Sequence, residues 1–425
     1  MVIIEGGLNV PMPRMVPVRQ KFPSFEIKDV AGEVKQLFAR DERVKRIKKG
    51  DKIAVAVGSR GIRSIDLIVR ALIDELKNLG AEPFIVPAMG SHGGATAEGQ
   101  TRVLAGYGIT EETMRVPIKS SMEVEQIGRL DNGLPVYLDK YALSSDGILV
   151  VNRVKPHTAF KAEYESGLLK MLAIGLGKHK GATAFHACGF DMFGTVLPQL
   201  GQVVIEKAPI LGGLAIIENA YDRTARMELV WKEDLVQREK ELLVEAKKLM
   251  PKILLNNLHL LIVHEIGKDI SGSGMDPNIT GRSASPHFHQ DDGLKVDKIV
   301  VLNLSPASGG NATGIGVADV TTKKVVDAMN LDYTYANVIT SMVLSSAKIP
   351  VYMPSDYEAI QVALKTSLRV QHPNTRIVWI KNTLLLEKIY VSEPLLPEVQ
   401  NHRQLEILGD PMPLQFNEHG NLIWE

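Results

Sequence analysis

Between Asp51 and Gly58 the chain reads DKIAVAVG, a short run that is apolar at almost every position and rich in valine and isoleucine. Such a run predicts a strand buried on both faces. The period changes after the break Ser59-Arg60-Gly61-Ile62-Arg63. From Ser64 to Leu79, SIDLIVRALIDELKNL, apolar residues recur at helical spacing, with Ser64 as N-cap and Gly80 as terminator. EPFIVPA, 82–88, is the next strand. It leads into the glycine-rich turn Met89-Gly90-Ser91-His92-Gly93-Gly94 and a helix from about Thr96. Strand–helix–strand–helix is the pattern of a parallel sheet covered by helices.

Further along, the alternation predicts a hairpin, 124–130 and 134–138, turning at Asp131-Asn132-Gly133. GILVVN, 147–152, is another buried strand and runs into Arg153-Val154-Lys155-Pro156-His157. Helices follow in 166–186 and at 191–207, then a strand at 211–218. A charged amphipathic helix at 232–249 stops at Pro251. A second α/β unit begins near Leu258 with LHLLIVHEIG. It continues through a strand at 298–304, helices near Thr321 and Thr334, and a strand at 376–380. The expected architecture is two α/β domains with largely parallel sheets, residues 1–255 and 256–425, and an active site in the cleft between them. The stretch 268–293 has little periodicity, and loops of that length are functional or disordered in most compact domains.

The bulk numbers agree. A chain of 425 residues exceeds one ordinary core. Lys+Arg and Asp+Glu both number 49, so nothing points to nucleic acid. The one cysteine, Cys188, fits a reducing cytoplasm, and its default role is that of a small buried hydrophobe. No apolar run reaches membrane-spanning length. The N-terminal stretch has no basic region followed by a long apolar one, so no signal peptide is expected. Its prolines at 11, 13 and 17 predict an extended arm.

Two features carry chemistry. In open α/β sheets, ligands bind beyond the carboxyl ends of the strands. Arg60, His92 and His157 each follow a strand; a single loop histidine is ordinarily a solvated surface residue, but three polar groups share one edge here. The second feature is SGLLKMLAIGLGKHKGATAFH, 166–186, which sets Lys170 inside an apolar run. Burying an ammonium is costly. One reading is snorkelling, with the stem packed and the amine in water.

These dispersed motifs resemble those of the nickel-dependent lactate racemase family. The carriers are Gly90-Ser91-His92, Ser59-Arg60, Pro156-His157 and Ser166-Gly167-Leu168-Leu169-Lys170. To these are added the interval from Lys170 to His186 and the turn Ala307-Ser308-Gly309-Gly310. The resemblance spans roughly residues 10–340. It implies a nickel-pincer nucleotide (pyridinium-3,5-bisthiocarboxylate mononucleotide with nickel) joined covalently to Lys170, with His186 as the protein's nickel ligand. Lys170 would then carry no charge to bury, which is the second reading of its apolar setting. The resemblance further implies Ser59, Gly90 and Ser91 against the cofactor, and His92 and His157 as acid–base pair. Arg60, Asp319 and Lys323 would bind substrate. The implied partners are a small 2-hydroxy acid and the proteins that make the cofactor.

The match has departures. The family's acidic residue before the Thr-Arg pair is Val57 here, Gly61 replaces a proline, and three extra residues follow His157. In Val317-Ala318-Asp319-Val320-Thr321-Thr322-Lys323 the family's substrate-binding glutamine becomes Asp319, and its lysine falls on Thr322 or Lys323. An aspartate there would repel a carboxylate. Two other readings compete with a 2-hydroxy-acid racemase or epimerase. One is a zinc hydrolase using His92, His157 and His186, since three histidines and a water make a catalytic zinc site. The other is a non-catalytic binding protein for a cofactor or small molecule. The cluster Pro286-His287-Phe288-His289 is a further metal candidate. Asp276, Asn278 and Arg282 are candidates to reach a polar substrate, with loop capping as the plainer explanation.

Overall fold

The computed structural model describes residues 7–59, 61–288, 293–368, 372 and 374–424. The chain divides into two compact units, Pro23–Met250 and Met1–Phe22 with Pro251–Glu425. The first strand, β1 (Met15–Gln20), therefore belongs to the unit formed by the C-terminal half, whereas the sequence pattern groups it with residues up to 255.

In the unit Pro23–Met250 the strands are β2 (Lys52–Val57), β3 (Glu82–Pro87), the hairpin β4 (Val124–Arg129) and β5 (Pro135–Asp139), β6 (Gly147–Arg153), β7 (Ile210–Glu218) and β8 (Thr224–Trp231). The main sheet has the order β3-β2-β6-β7-β8. Its first four strands are mutually parallel, and β8 returns antiparallel to β7. The hydropathy reading passed over β8, TARMELVW, because its arginine and glutamate break the apolar run. The side chains of β2 alternate as a strand's must. Ile53, Val55 and Val57 pack with the helices Val30–Arg40 and Ile65–Asn78. Ala54 and Ala56 face the opposite layer, which contains Leu168, Leu169, Leu172 and Phe185. Val57 pairs with Pro87 on one side and Val151 on the other, so β2 and β3 end at one level and β6 runs two residues further, to Arg153.

The other unit has one eight-stranded sheet. Its further strands are β9 (Leu258–Ile266), β10 (Val296–Leu304), β11 (Val320–Thr322), β12 (Val351–Met353), β13 (Ile377–Ile380), β14 (Lys388–Ser392) and β15 (Leu405–Ile407). The order is β12-β11-β10-β9-β13-β14-β1-β15. Five neighbours, β12 to β13, run parallel, and β14, β1 and β15 continue the sheet antiparallel. The arm becomes β1 because β14 and β15 offer it hydrogen-bonding edges on both sides, a long-range pairing that local pattern does not encode. The helix expected near Thr321 begins at Lys323 instead. Thr321 and Thr322 are buried strand residues whose hydroxyls donate to Val301 O (2.8 Å) and Leu302 O (3.0 Å). Among the described residues, no helix is long and apolar enough to cross a membrane.

Candidate active site

The carboxyl ends of β2, β3 and β6 carry three loops with Ser59, His92 and His157. Because these strands are sheet neighbours, Ser59, His92 and His157 share one edge, where the sequence pattern expects Arg60, His92 and His157. Arg60 lies outside the described residues. The Ser59 hydroxyl and His92 Nδ1 are joined by a short hydrogen bond, and Tyr107 Oη donates to Ser59 O at 2.6 Å. A hydroxyl can donate or accept, so it serves either tautomer of His92. The His92 loop is tightly folded. Gly93 has φ +68°, and a Cβ there would lie 2.6 Å from the Gln100 amide nitrogen. The Gln100 side-chain amide, fully buried, donates to Gly90 O (2.9 Å) and His92 O (3.3 Å).

His157 is half-buried against Phe160, ring centroids 4.6 Å apart. Its Nδ1 accepts from Ala159 N at 3.1 Å, which places the proton of the neutral ring on Nε2. Glu165 holds the loop from beneath. Its buried carboxylate accepts from His157 N (2.6 Å) and Ala162 N (3.3 Å) and pairs with Lys247 Nζ (2.6 Å). Lys155 N donates to Ser166 O at 2.8 Å and closes the loop. The extra residues after His157 are thus accommodated in a braced excursion.

Lys170 ends a short helical turn, Leu168–Lys170, that passes directly into a π-helical turn, Met171–Gly175. The widened turn is visible in the bond from Leu176 N to Met171 O, 2.8 Å. Such bulges recur at functional sites. Lys170 is half-buried, and His186 is the last residue of the helix Lys178–His186. Burial, and secondarily the charge of Lys170, lowers the His186 pKa to about 4. The imidazole is therefore neutral near pH 7, the form that binds a metal ion. Its ring lies 5.4 Å from that of Phe193.

Sequence pattern missed the groups that hold this segment. Asn152 Nδ2 donates to Gly167 O at 2.9 Å and ties the end of β6 to the Lys170 turn. Glu239 is fully buried, accepts from Leu169 N at 2.8 Å, and has its pKa raised by burial to about 7. A Cβ on Gly167 would lie 2.6 Å from the Glu239 carboxyl carbon, so glycine is what admits the acid. One signal was readable: Glu239 falls on the same helical face as Leu235, Leu242, Leu243 and Ala246. Lys178 is also fully buried, with Nζ 3.3 Å from Asp139 Oδ2. Burial lowers the lysine's pKa and raises the aspartate's, each against the attraction of the other. No period marks Lys178, because it sits at φ +54° at the helix start.

In the other unit, Asp319 Oδ2 lies 2.6 Å from Arg282 Nη1 and accepts from Ile299 N at 2.7 Å. Lys323 is exposed and pairs with Asp327 at 2.6 Å. Arg282 is further engaged with Val296 O at 2.7 Å at the start of β10, and Asp276 Oδ1 caps Asn278 N at 2.9 Å within its own loop. His289 lies outside the described residues. Among the described residues, no three His, Cys, Asp or Glu side chains are grouped to hold a metal ion. The expected three-histidine zinc site is therefore not assembled, since His92, His157 and His186 form no such group.

Polar side chains gathered in loops beyond the carboxyl edge of a parallel sheet occupy the place where open α/β sheets bind ligands. Residues 20–192 match the family model described as the lactate racemase N-terminal domain. In fold the chain is similar to the lactate racemase apoprotein from Thermoanaerobacterium thermosaccharolyticum. The TM-score is 0.56 at 14% identity, covering 86% of this chain and 98% of that one. It is also similar to a structural-genomics protein from Thermotoga maritima, TM-score 0.50 at 15% identity, covering 84% and 97%. No curated protein matches the chain.

Proposed function

We propose that the chain is a racemase or epimerase of a 2-hydroxy acid, working with a nickel-pincer nucleotide joined to Lys170 and ligated by His186. The observation that carries this reading is the pairing of a half-buried lysine with a histidine kept neutral by its surroundings, pKa about 4. The residues present fit the group. Neutral imidazole is a good nickel donor. Acylation of Lys170 would remove the cation that disfavours charge at His186. Ser59, Gly90 and Ser91 are assigned to the cofactor's surroundings.

When bound, the group supplies a hydride acceptor, so the α-hydrogen departs with its electron pair and the carboxylate need not bear a second negative charge. The protein's share is proton transfer and orientation. His92, with a hydroxyl partner that both donates and accepts, is suited to take the substrate hydroxyl proton and to return it. His157, with Nδ1 occupied by Ala159 N–H, presents Nε2–H as the acid when neutral. Arg60 is assigned the substrate carboxylate, where a guanidinium makes two parallel bonds. Asp319 and Lys323 remain the candidates from the second half. The Arg282 guanidinium offsets the charge of Asp319, which answers the repulsion that an aspartate would otherwise bring. The lone Cys188 supports a cytoplasmic setting.

The test is to produce the chain with the cofactor pathway, measure nickel and sulfur, and incubate it with single enantiomers of lactate, malate and sugar acids. Inversion followed on a chiral column supports the reading. Retention of the acid without inversion replaces it with the binding-protein reading.

A further inference from the structure

A buried polar chain links the His92 loop to the helix bearing His186. Lys178 Nζ donates to Pro87 O at the end of β3 and to Gln100 Oε1 (3.0 Å), and lies 3.3 Å from Asp139 Oδ2. Gln100 in turn donates to Gly90 O at 2.9 Å and His92 O at 3.3 Å. Lys178, Asp139 and Gln100 are all fully buried. Three acceptors around one ammonium leave little freedom, and Lys178 opens the helix that ends at His186. A buried ion pair is weak evidence of stabilisation, because desolvation offsets the attraction. Its better-attested use is to fix one arrangement among several.

We infer that Lys178 is a positioning residue which, through Gln100, sets the His92 loop against the helix carrying His186. The inference rests on the proposed function for its catalytic meaning, but its structural claim stands apart from it. The side-chain amide of Gln100 satisfies two carbonyls of a loop whose other outside anchors are the bond from Gly90 N to Gly175 O and the contact of His92 Nδ1 with Ser59. Without it, Gly90 O and His92 O lose a buried donor. A displacement of about 1 Å in a catalytic group can cost on the order of a hundredfold in rate.

The experiment uses the full chain with Lys178→Met, Gln100→Met and the double variant. The first readout needs no cofactor: amide hydrogen exchange across 88–96, where Gly90 N, His92 N and Ala95 N each donate at 3.1 Å. Exchange there should rise about tenfold or more in each single variant and no further in the double, while β2, β6 and β7 keep parental protection. Unchanged exchange at 88–96 in Gln100→Met overturns the inference. So does a rise spread evenly over the unit, which marks a merely structural role. Should Lys178→Met not fold, Gln100→Met alone decides. In loaded enzyme, both variants should lower kcat about tenfold or more with KM little changed, and a change confined to KM overturns the catalytic meaning. If the parent itself does not racemise, the functional reading falls, and the exchange result still judges the link.

Discussion

His186 is held neutral by its burial and by the ammonium of Lys170, sixteen residues earlier in the chain. The folded pKa, about 4, lies below the ordinary 6.5 of histidine, so the unfolded chain binds the proton more readily. The stability attached to this group is full above pH 6.5 and is lost as pH falls toward 4. At about 1.4 kcal/mol per pKa unit this difference would amount to about 3 kcal/mol, and partial exposure reduces the effect to roughly 2 kcal/mol. Denaturant titrations of His186→Gln should show a correspondingly smaller loss between pH 6.5 and 4. An unchanged slope would contradict the neutral buried imidazole.

Removing the lysine charge should move the histidine in a known direction. In Lys170→Met the His186 pKa, followed by NMR, should rise but stay below 6.5, because burial is the larger cause. The same variant should carry no adduct. Parental protein made with the cofactor pathway should show a mass increment on the Lys170 peptide. An active enzyme with unmodified Lys170 would end the covalent assignment.

Nickel content offers an independent check on the ligand. His186→Ala should lose metal while keeping its fold, since only one half-buried ring at a helix end is removed. Full nickel occupancy in that variant would send the search to another donor.

His92→Ala and His157→Ala should each slow racemisation about a hundredfold or more, the usual scale of one acid–base group. Ser59→Ala should cost less, because it removes only the partner of His92 Nδ1. Parental rates in both histidine variants would exclude a two-base mechanism for this chain.

Glu239 behaves in the opposite sense to His186. Its folded pKa, about 7, is raised above the ordinary 4.5, so the native state holds the proton more tightly. The linked stability is present below 4.5 and is lost as pH rises through 7. Glu239→Gln keeps an acceptor for Leu169 N and removes the ionisation. At pH 8 it should be more stable than the parent by up to roughly 3 kcal/mol, with the two converging near pH 4. Equal stability at both pH values would mean that the buried carboxyl is not perturbed.

Buried parallel strands announce themselves because both faces are apolar, so β2, β3, β6 and β9 were readable, and with them the edge that carries Ser59, His92 and His157. The interval between Lys170 and His186 was readable too, because it lies within one continuous segment. Local periodicity did not reveal β1 in the C-terminal sheet or β8 beside β7. Each depends on a partner edge supplied by a distant part of the chain. The same holds for the polar interior. Glu165 and Lys178 carry no signal in composition or period, and the helical period that sets Glu239 on an apolar face says nothing of what stands opposite. Only the folded chain brings Lys247 to Glu165, Asp139 to Lys178 and the Leu169 amide to Glu239. Burial with these partners turns three solvated charges into the framework under the loops, because a charge removed from water persists only where the tertiary structure supplies its counterpart.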